Sequence, residues 1–157
     1  MTLRYVSGRN DYRGRVEYCK TALTATHSHA ECEMSGCITF TNSTDCSVSG
    51  CTFEHIGVYG IDIIGTGRNI AVDGCTFLDL GSGALKTQHE RNNTQYIHIK
   101  GVNFTNNHVD GYGKAYLAAC AVLLTHVSDS AVDNNDICDG DYTAVSLGWT
   151  WGYDNIG

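Results

Sequence analysis

The stretch Asn69-Ile70-Ala71-Val72-Asp73-Gly74-Cys75-Thr76-Phe77-Leu78-Asp79 decides how the rest of the chain is read, because it recurs. Asp45-Cys46-Ser47-Val48-Ser49-Gly50-Cys51-Thr52-Phe53-Glu54-His55 precedes it. Tyr96-Ile97-His98-Ile99-Lys100-Gly101-Val102-Asn103-Phe104-Thr105-Asn106 and Asp129-Ser130-Ala131-Val132-Asp133-Asn134-Asn135-Asp136-Ile137-Cys138-Asp139 follow it. Alternation puts Val48, Val72, Ile99 and Val132 on one side of a short strand and their polar neighbours on the other. A bend follows at Gly50, Gly74, Gly101 or Asn134, Gly and Asn being residues that tolerate positive φ. Phe53, Phe77, Phe104 and Ile137 then form a second inward column.

Between these copies runs another alternating set, with Ile38, Ile61, Leu85, Val122 and Val145 inward, at steps of 23, 24, 37 and 23 residues. The long step marks a coil with insertions around Gln88–Thr94 and Asp110–Lys114. Stacked repeats of about two dozen residues, each burying its apolar side only against a neighbour, predict a solenoid. The expected fold is all-β: a single-stranded, right-handed parallel β-helix of about five coils, open at its ends, over residues 36–157. A leucine-rich repeat would show Leu-x-x-Leu-x-Leu, and a propeller a period nearer forty; neither pattern occurs. Residues 1–35 show no clear period and read as a poorly specified first coil or cap. Because Asp154-Asn155-Ile156 looks like the start of another copy, the chain reads as a piece of a longer solenoid. Its open ends would favour self-association.

The totals agree with a strand-rich chain. Of the 157 residues only 17% are charged, none is Pro and 18 are Gly, a composition that disfavours helical bundles. A formal charge of −7 with scattered basic residues argues against nucleic acid as a partner. No apolar run is long enough to span a membrane, and the first residues lack the apolar core of a signal peptide. The eight cysteines lack metal-ligand spacing, so no metal site is expected from them. Cys51 and Cys75 share one repeat position, with Val102 and Asn135 as neighbours, and read as free thiols stacked inside the solenoid. Cys19 and Cys32 lie outside the repeat and stay unassigned.

A packed interior leaves chemistry to outward faces and loops. The outward row Thr39, Asp62, Lys86, Leu123, Ser146 sets an acid beside a base on adjacent coils. It is either a surface ion pair of little worth or part of a groove for polar ligands such as sugars. His55, Asp79, Asn106 and Asp139 follow the second inward column at a turn, and Asp141 adds a carboxylate. Paired carboxylates are the working parts of most glycosidases; acidic turns also arise for local reasons and suit calcium. Leu147-Gly148-Trp149-Thr150-Trp151-Gly152-Tyr153 offers aromatic faces that stack on sugar rings or cover an apolar end.

Gly83-Ala84-Leu85-Lys86-Thr87, Val109-Asp110-Gly111-Tyr112-Gly113-Lys114-Ala115-Tyr116, Ala121-Val122-Leu123-Leu124-Thr125-His126-Val127-Ser128-Asp129-Ser130 and Tyr142-Thr143-Ala144-Val145-Ser146-Leu147-Gly148-Trp149-Thr150-Trp151-Gly152 occur in order. Over residues 36–157 this resembles bacterial right-handed parallel β-helix proteins of the glycoside hydrolase type, the α-L-fucosidase and xylanase-like group. The resemblance implies an extracellular or periplasmic enzyme that acts on a polysaccharide or oligosaccharide with an acidic pair in a groove; no cofactor is expected, calcium at the acidic turns aside. On it, Asp139 is the candidate catalytic carboxylate and Asp141 a weaker one. Asp62, Lys86, His126, Tyr142, Ser146, Trp149 and Trp151 are candidates for substrate binding. Ala144 departs from the Gly usual in that group. A second acid would be supplied by coils beyond residue 157, so this chain alone is expected to be inactive. The alternatives are a non-catalytic carbohydrate-binding or adhesion β-helix, and a polysaccharide lyase using Lys86 or Arg91 as base.

Overall fold

The structure, a computed structural model, describes residues 2–4, 36–88 and 99–148. Trp149, Trp151, Arg91, Cys19 and Cys32 lie outside the described residues, as does most of the 1–35 segment. All regular structure in the described residues is strand. Each coil lays down one strand in each of three sheets, and every pairing is parallel.

The first sheet stacks β2 (Gly36–Thr41), β5 (Tyr59–Ile64), β8 (Leu85–Gln88), β11 (Val122–Thr125) and β15 (Val145–Gly148). The second stacks β3 (Thr44–Ser49), β6 (Arg68–Asp73) and β9 (Ile99–Thr105); β9 then pairs with both β12 (Val127–Ser128) and β13 (Ala131–Asp133). The third stacks β1 (Thr2–Arg4), β4 (Thr52–Ile56), β7 (Thr76–Leu80), β10 (His108–Tyr112) and β14 (Asp136–Gly140). Among the described residues four coils are complete, with β1 ahead of them and β15 opening another. The chain is a parallel β-helix, as its period predicts.

The first sheet pairs Ile38 with Ile61, Leu85, Val122 and Val145 in succession, the steps expected from the sequence. The third copy of the other motif sits five residues away from its expected place. Phe104, not Ile99, lies under Val72, and Val109, not Phe104, lies under Phe77. The second inward column is therefore Phe53, Phe77, Val109 and Ile137. Asp110 belongs to β10 and not to an insertion; the extra residues of this coil fall between β8 and β9 and, past Tyr112, between β10 and β11.

Register fixes the corners. Gly50, Gly74, Asn106 and Asn134 form one left-handed column, with φ of 58°, 60°, 56° and 52°. Asp45, Asn69, Gly101 and Asp129 form a second, and His55, Asp79, Gly111 and Asp139 a third. Side chains that hydrogen-bond locally, or no side chain at all, are what this backbone region accepts.

Inside, Phe53 and Phe77 are fully buried and stack with ring centroids 4.6 Å apart and 11° between planes. Cys51 and Cys75 are free and share a ladder position, but its other members are Asn107 and Asn135, not Val102 and Asn135. Asn107 Nδ2 donates to the Val72 carbonyl at 3.0 Å, and Asn135 Nδ2 to the Phe104 carbonyl at 2.8 Å. Cys75 Sγ points at the Val48 carbonyl, 3.5 Å away, the equivalent acceptor one coil earlier. A weak S–H donor thus replaces an amide donor in the same job.

Candidate functional site

On the outward side of the third sheet, β7, β10 and β14 present Leu78, Asp110 and Cys138 in one row. The corner column beside it carries Asp79, Gly111 and Asp139. Gly111 places no side chain between the two aspartates, and the result is an open groove of about 300 Å³ lined by Leu78, Asp79, Asp110, Gly111, Lys114 and Asp139. The backbones of Asp79 and Asp139 are two coils apart, about 9.6 Å at ordinary strand spacing.

Lys114 reaches this groove from the turn after β10. Backbone bonds hold that turn down: Gly113 N–H donates to Ser82 O at 2.8 Å, Lys114 N–H to Leu80 O at 3.1 Å and Ala115 N–H to Gly81 O at 3.1 Å. The lysine side chain crosses Gly111, where a Cβ would lie 3.4 Å from its Cε. Its Nζ meets Asp139 Oδ2 at 3.0 Å. The hydrogen bond and charge of Asp139, then the charges of Asp141 and Asp110, hold the ammonium pKa above its usual value. Asp79 Oδ2 takes a 2.7 Å contact from His55 Nδ1, and His108 Nδ1 meets Asp136 Oδ2 at 2.9 Å on the same outward side. Desolvation, then Asp110, pushes the Cys138 thiol up. Among the described residues no group of three His, Cys, Asp or Glu is placed to hold a metal ion.

Asp139 therefore lies in a groove with Asp79, which the repeat already sets in its column, and with Asp110, which motif spacing does not bring to it. From the sequence Asp110 falls in an expected insertion, and Asn106 stands where the structure puts Gly111. Asp141 is exposed just past β14 and adds charge without lining the groove. Tyr142 is partly exposed, and its carbonyl accepts a 2.7 Å bond from Tyr112 Oη. Ser146 hydrogen-bonds Cys120, a thiol that burial pushes up to about 11.

The remaining candidates lie elsewhere. His126 lines a different hollow, of about 550 Å³, with Leu124, Val132, Val145 and Leu147; this is the apolar interior of the last coil. Asp62 and Lys86 are adjacent, as alternation predicts, but not at the surface. Both are fully buried, with Lys86 Nζ 3.3 Å from Asp62 Oδ2 and 5.8 Å from the Tyr59 ring centroid. Leu123, next in the row, is also fully buried. The outward face of the first sheet is closed at these positions, so the pair is neither a surface ion pair nor an open groove wall.

Geometry and comparison agree on the class of protein, a parallel β-solenoid. A model of the right-handed beta helix region matches residues 7–137, and the chain belongs to that family. No curated protein and no solved structure matches the chain.

Proposed function

We propose that the chain is the β-helical part of a carbohydrate-active protein, a glycosidase acting on a polysaccharide or oligosaccharide through the groove of the third sheet. The observation that carries this reading is that Asp79, Asp110 and Asp139, from three successive coils, line one open groove with Gly111 between the corner acids. Hydrolysis of a glycosidic bond needs two carboxyl groups, and inverting enzymes hold them about 6.5–9.5 Å apart to admit water. The corners that carry Asp79 and Asp139 are two coils apart, about 9.6 Å at ordinary strand spacing, and Gly111 leaves the space between them open. In this reading Asp139, beside Lys114, is the carboxylate that activates water, and Asp79 or Asp110 supplies the proton to the leaving oxygen. The fold's rows of outward side chains would give a glycan chain a track across the coils.

The test is release of reducing ends from a panel of plant and bacterial polysaccharides. Asp139→Asn, Asp79→Asn and Asp110→Asn are assayed alongside, with circular dichroism to confirm folding. Loss of Asp139 and of one other acid should each lower turnover about 10²–10⁴-fold. Activity unchanged in all three variants would overturn the assignment.

One observation favours a second reading, binding without chemistry: Asp139 and Asp79 are each already engaged by a basic side chain, Lys114 and His55. Under it, glycan affinity would fall in the same variants while no polysaccharide is cleaved. The lyase reading loses Lys86 as its base, because that side chain is sealed from solvent beside Asp62; its other candidate, Arg91, lies outside the described residues.

A further inference from the structure

Asp62 and Lys86 face one another across β5 and β8 in direct register. Neither side chain has any exposed surface, and Nζ and Oδ2 are 3.3 Å apart. Two exposed lysine pairs among the described residues are tighter, 2.9 Å for Lys100 with Asp129 and 3.0 Å for Lys114 with Asp139. We propose that Asp62 and Lys86 condense to an intramolecular amide, a covalent rung between the second and third coils.

Three physical arguments support this bond. Removing both groups from water penalises their charged forms, which favours transfer of the proton from the ammonium to the carboxylate and a neutral amine facing a neutral acid. Those are the nucleophile and electrophile that amide formation requires. Strand pairing also fixes the partners side by side, and well-oriented intramolecular partners reach effective concentrations of about 10⁵–10⁸ M. Finally, the amine is on a flexible four-carbon stem that can swing onto the carboxyl carbon, one bond beyond Oδ2. In the step, Lys86 Nζ bonds to Asp62 Cγ and one carboxyl oxygen leaves with two protons as water. No oxidant, reductant or co-reactant is consumed. The product is uncharged, and a site closed to solvent keeps out the water needed to reverse it.

The experiment is intact-mass measurement of the purified chain after reduction and alkylation, followed by proteolysis and tandem mass spectrometry. The expected result is a mass lower by that of one water, about 18 Da, and a branched peptide joining the segments that carry Asp62 and Lys86. Trypsin will not cut after Lys86, and amine acetylation of the denatured protein will not modify it. Lys86→Arg and Asp62→Ala should each restore the full mass. The proposal is overturned by a full-mass wild-type protein. It is equally overturned by a water loss that maps to an Asp-Gly succinimide while Lys86 stays acetylatable. Both of these outcomes are read on the wild-type chain, so they stand even where a variant fails to fold.

Discussion

At single positions, the corner columns show what the backbone demands. The described non-glycine residues with positive φ are Asn42, Asp45, His55, Asn69, Asp79, Asn106, His126, Asp129, Asn134 and Asp139. All are Asn, Asp or His, the side chains most often found in the left-handed region. Gly74 isolates the backbone term, because its φ is +60° and a Cβ built there meets nothing within 4 Å. Gly74→Asn should therefore stay within about 0.5 kcal/mol of the parent, while Gly74→Val should lose about 1–2 kcal/mol or more to the left-handed penalty of a branched residue. Denaturant unfolding of the two variants checks this. Equal stabilities would mean that the corner is not held left-handed. The same preference equips the groove: a corner that accepts Asp or Gly is how Asp79, Gly111 and Asp139 come to stand in one file.

Among the strands, the fastening of β9 to β6 sets the register of the third coil. Asp73 accepts 2.7 Å hydrogen bonds from Thr105 Oγ1 and Asn106 Nδ2. These bonds, the Thr105 one first, hold its pKa below the usual 3.8. A carboxyl whose pKa is depressed by folding stabilises the fold above its unfolded pKa, and that contribution is lost as pH falls through the lower folded value. Melting temperature measured between pH 7 and 2 should fall less steeply for Asp73→Asn than for the parent. Identical pH profiles would remove Asp73 from the account. This strand also marks the limit of what periodicity resolves. Ile99-Lys100-Gly101 and Phe104-Thr105-Asn106 both fit an apolar residue, a polar one and a left-handed corner, and both corners are left-handed. Two corner columns with one shared residue preference cannot be told apart in a coil that carries extra residues, and Asp110 is displaced with them. Where coils lack insertions, as from Ile38 to Leu85, period and alternation suffice.

For the whole molecule, cooperativity should run along the solenoid axis. Each coil touches mainly the one before and the one after, and burial is uneven: Ile61, Ile70, Phe77, Leu85 and Val102 are fully buried, whereas Ile137 and Val145 are only partly so. Leu147 is 66% exposed. Amide hydrogen exchange should accordingly be slowest in β5 to β9 and fastest in β14 and β15. Uniform protection would show that the coils open as one unit. The overall architecture is legible in the sequence because a repeat multiplies a weak local signal. The closed outer face of the first sheet is not, because alternation says which way Asp62 and Lys86 point and nothing about what packs outside them.

The lengths of the coils carry a consequence for heredity. Neighbouring coils without insertions are joined by equivalent rungs 23 or 24 residues apart, as at Ile38, Ile61 and Leu85. A gene segment encoding one such coil can be duplicated or lost in frame, and every remaining rung still finds an apolar partner above and below. Copying a coil that carries Asp79 would add a carboxylate to the file, so unequal recombination could lengthen the groove one acid at a time.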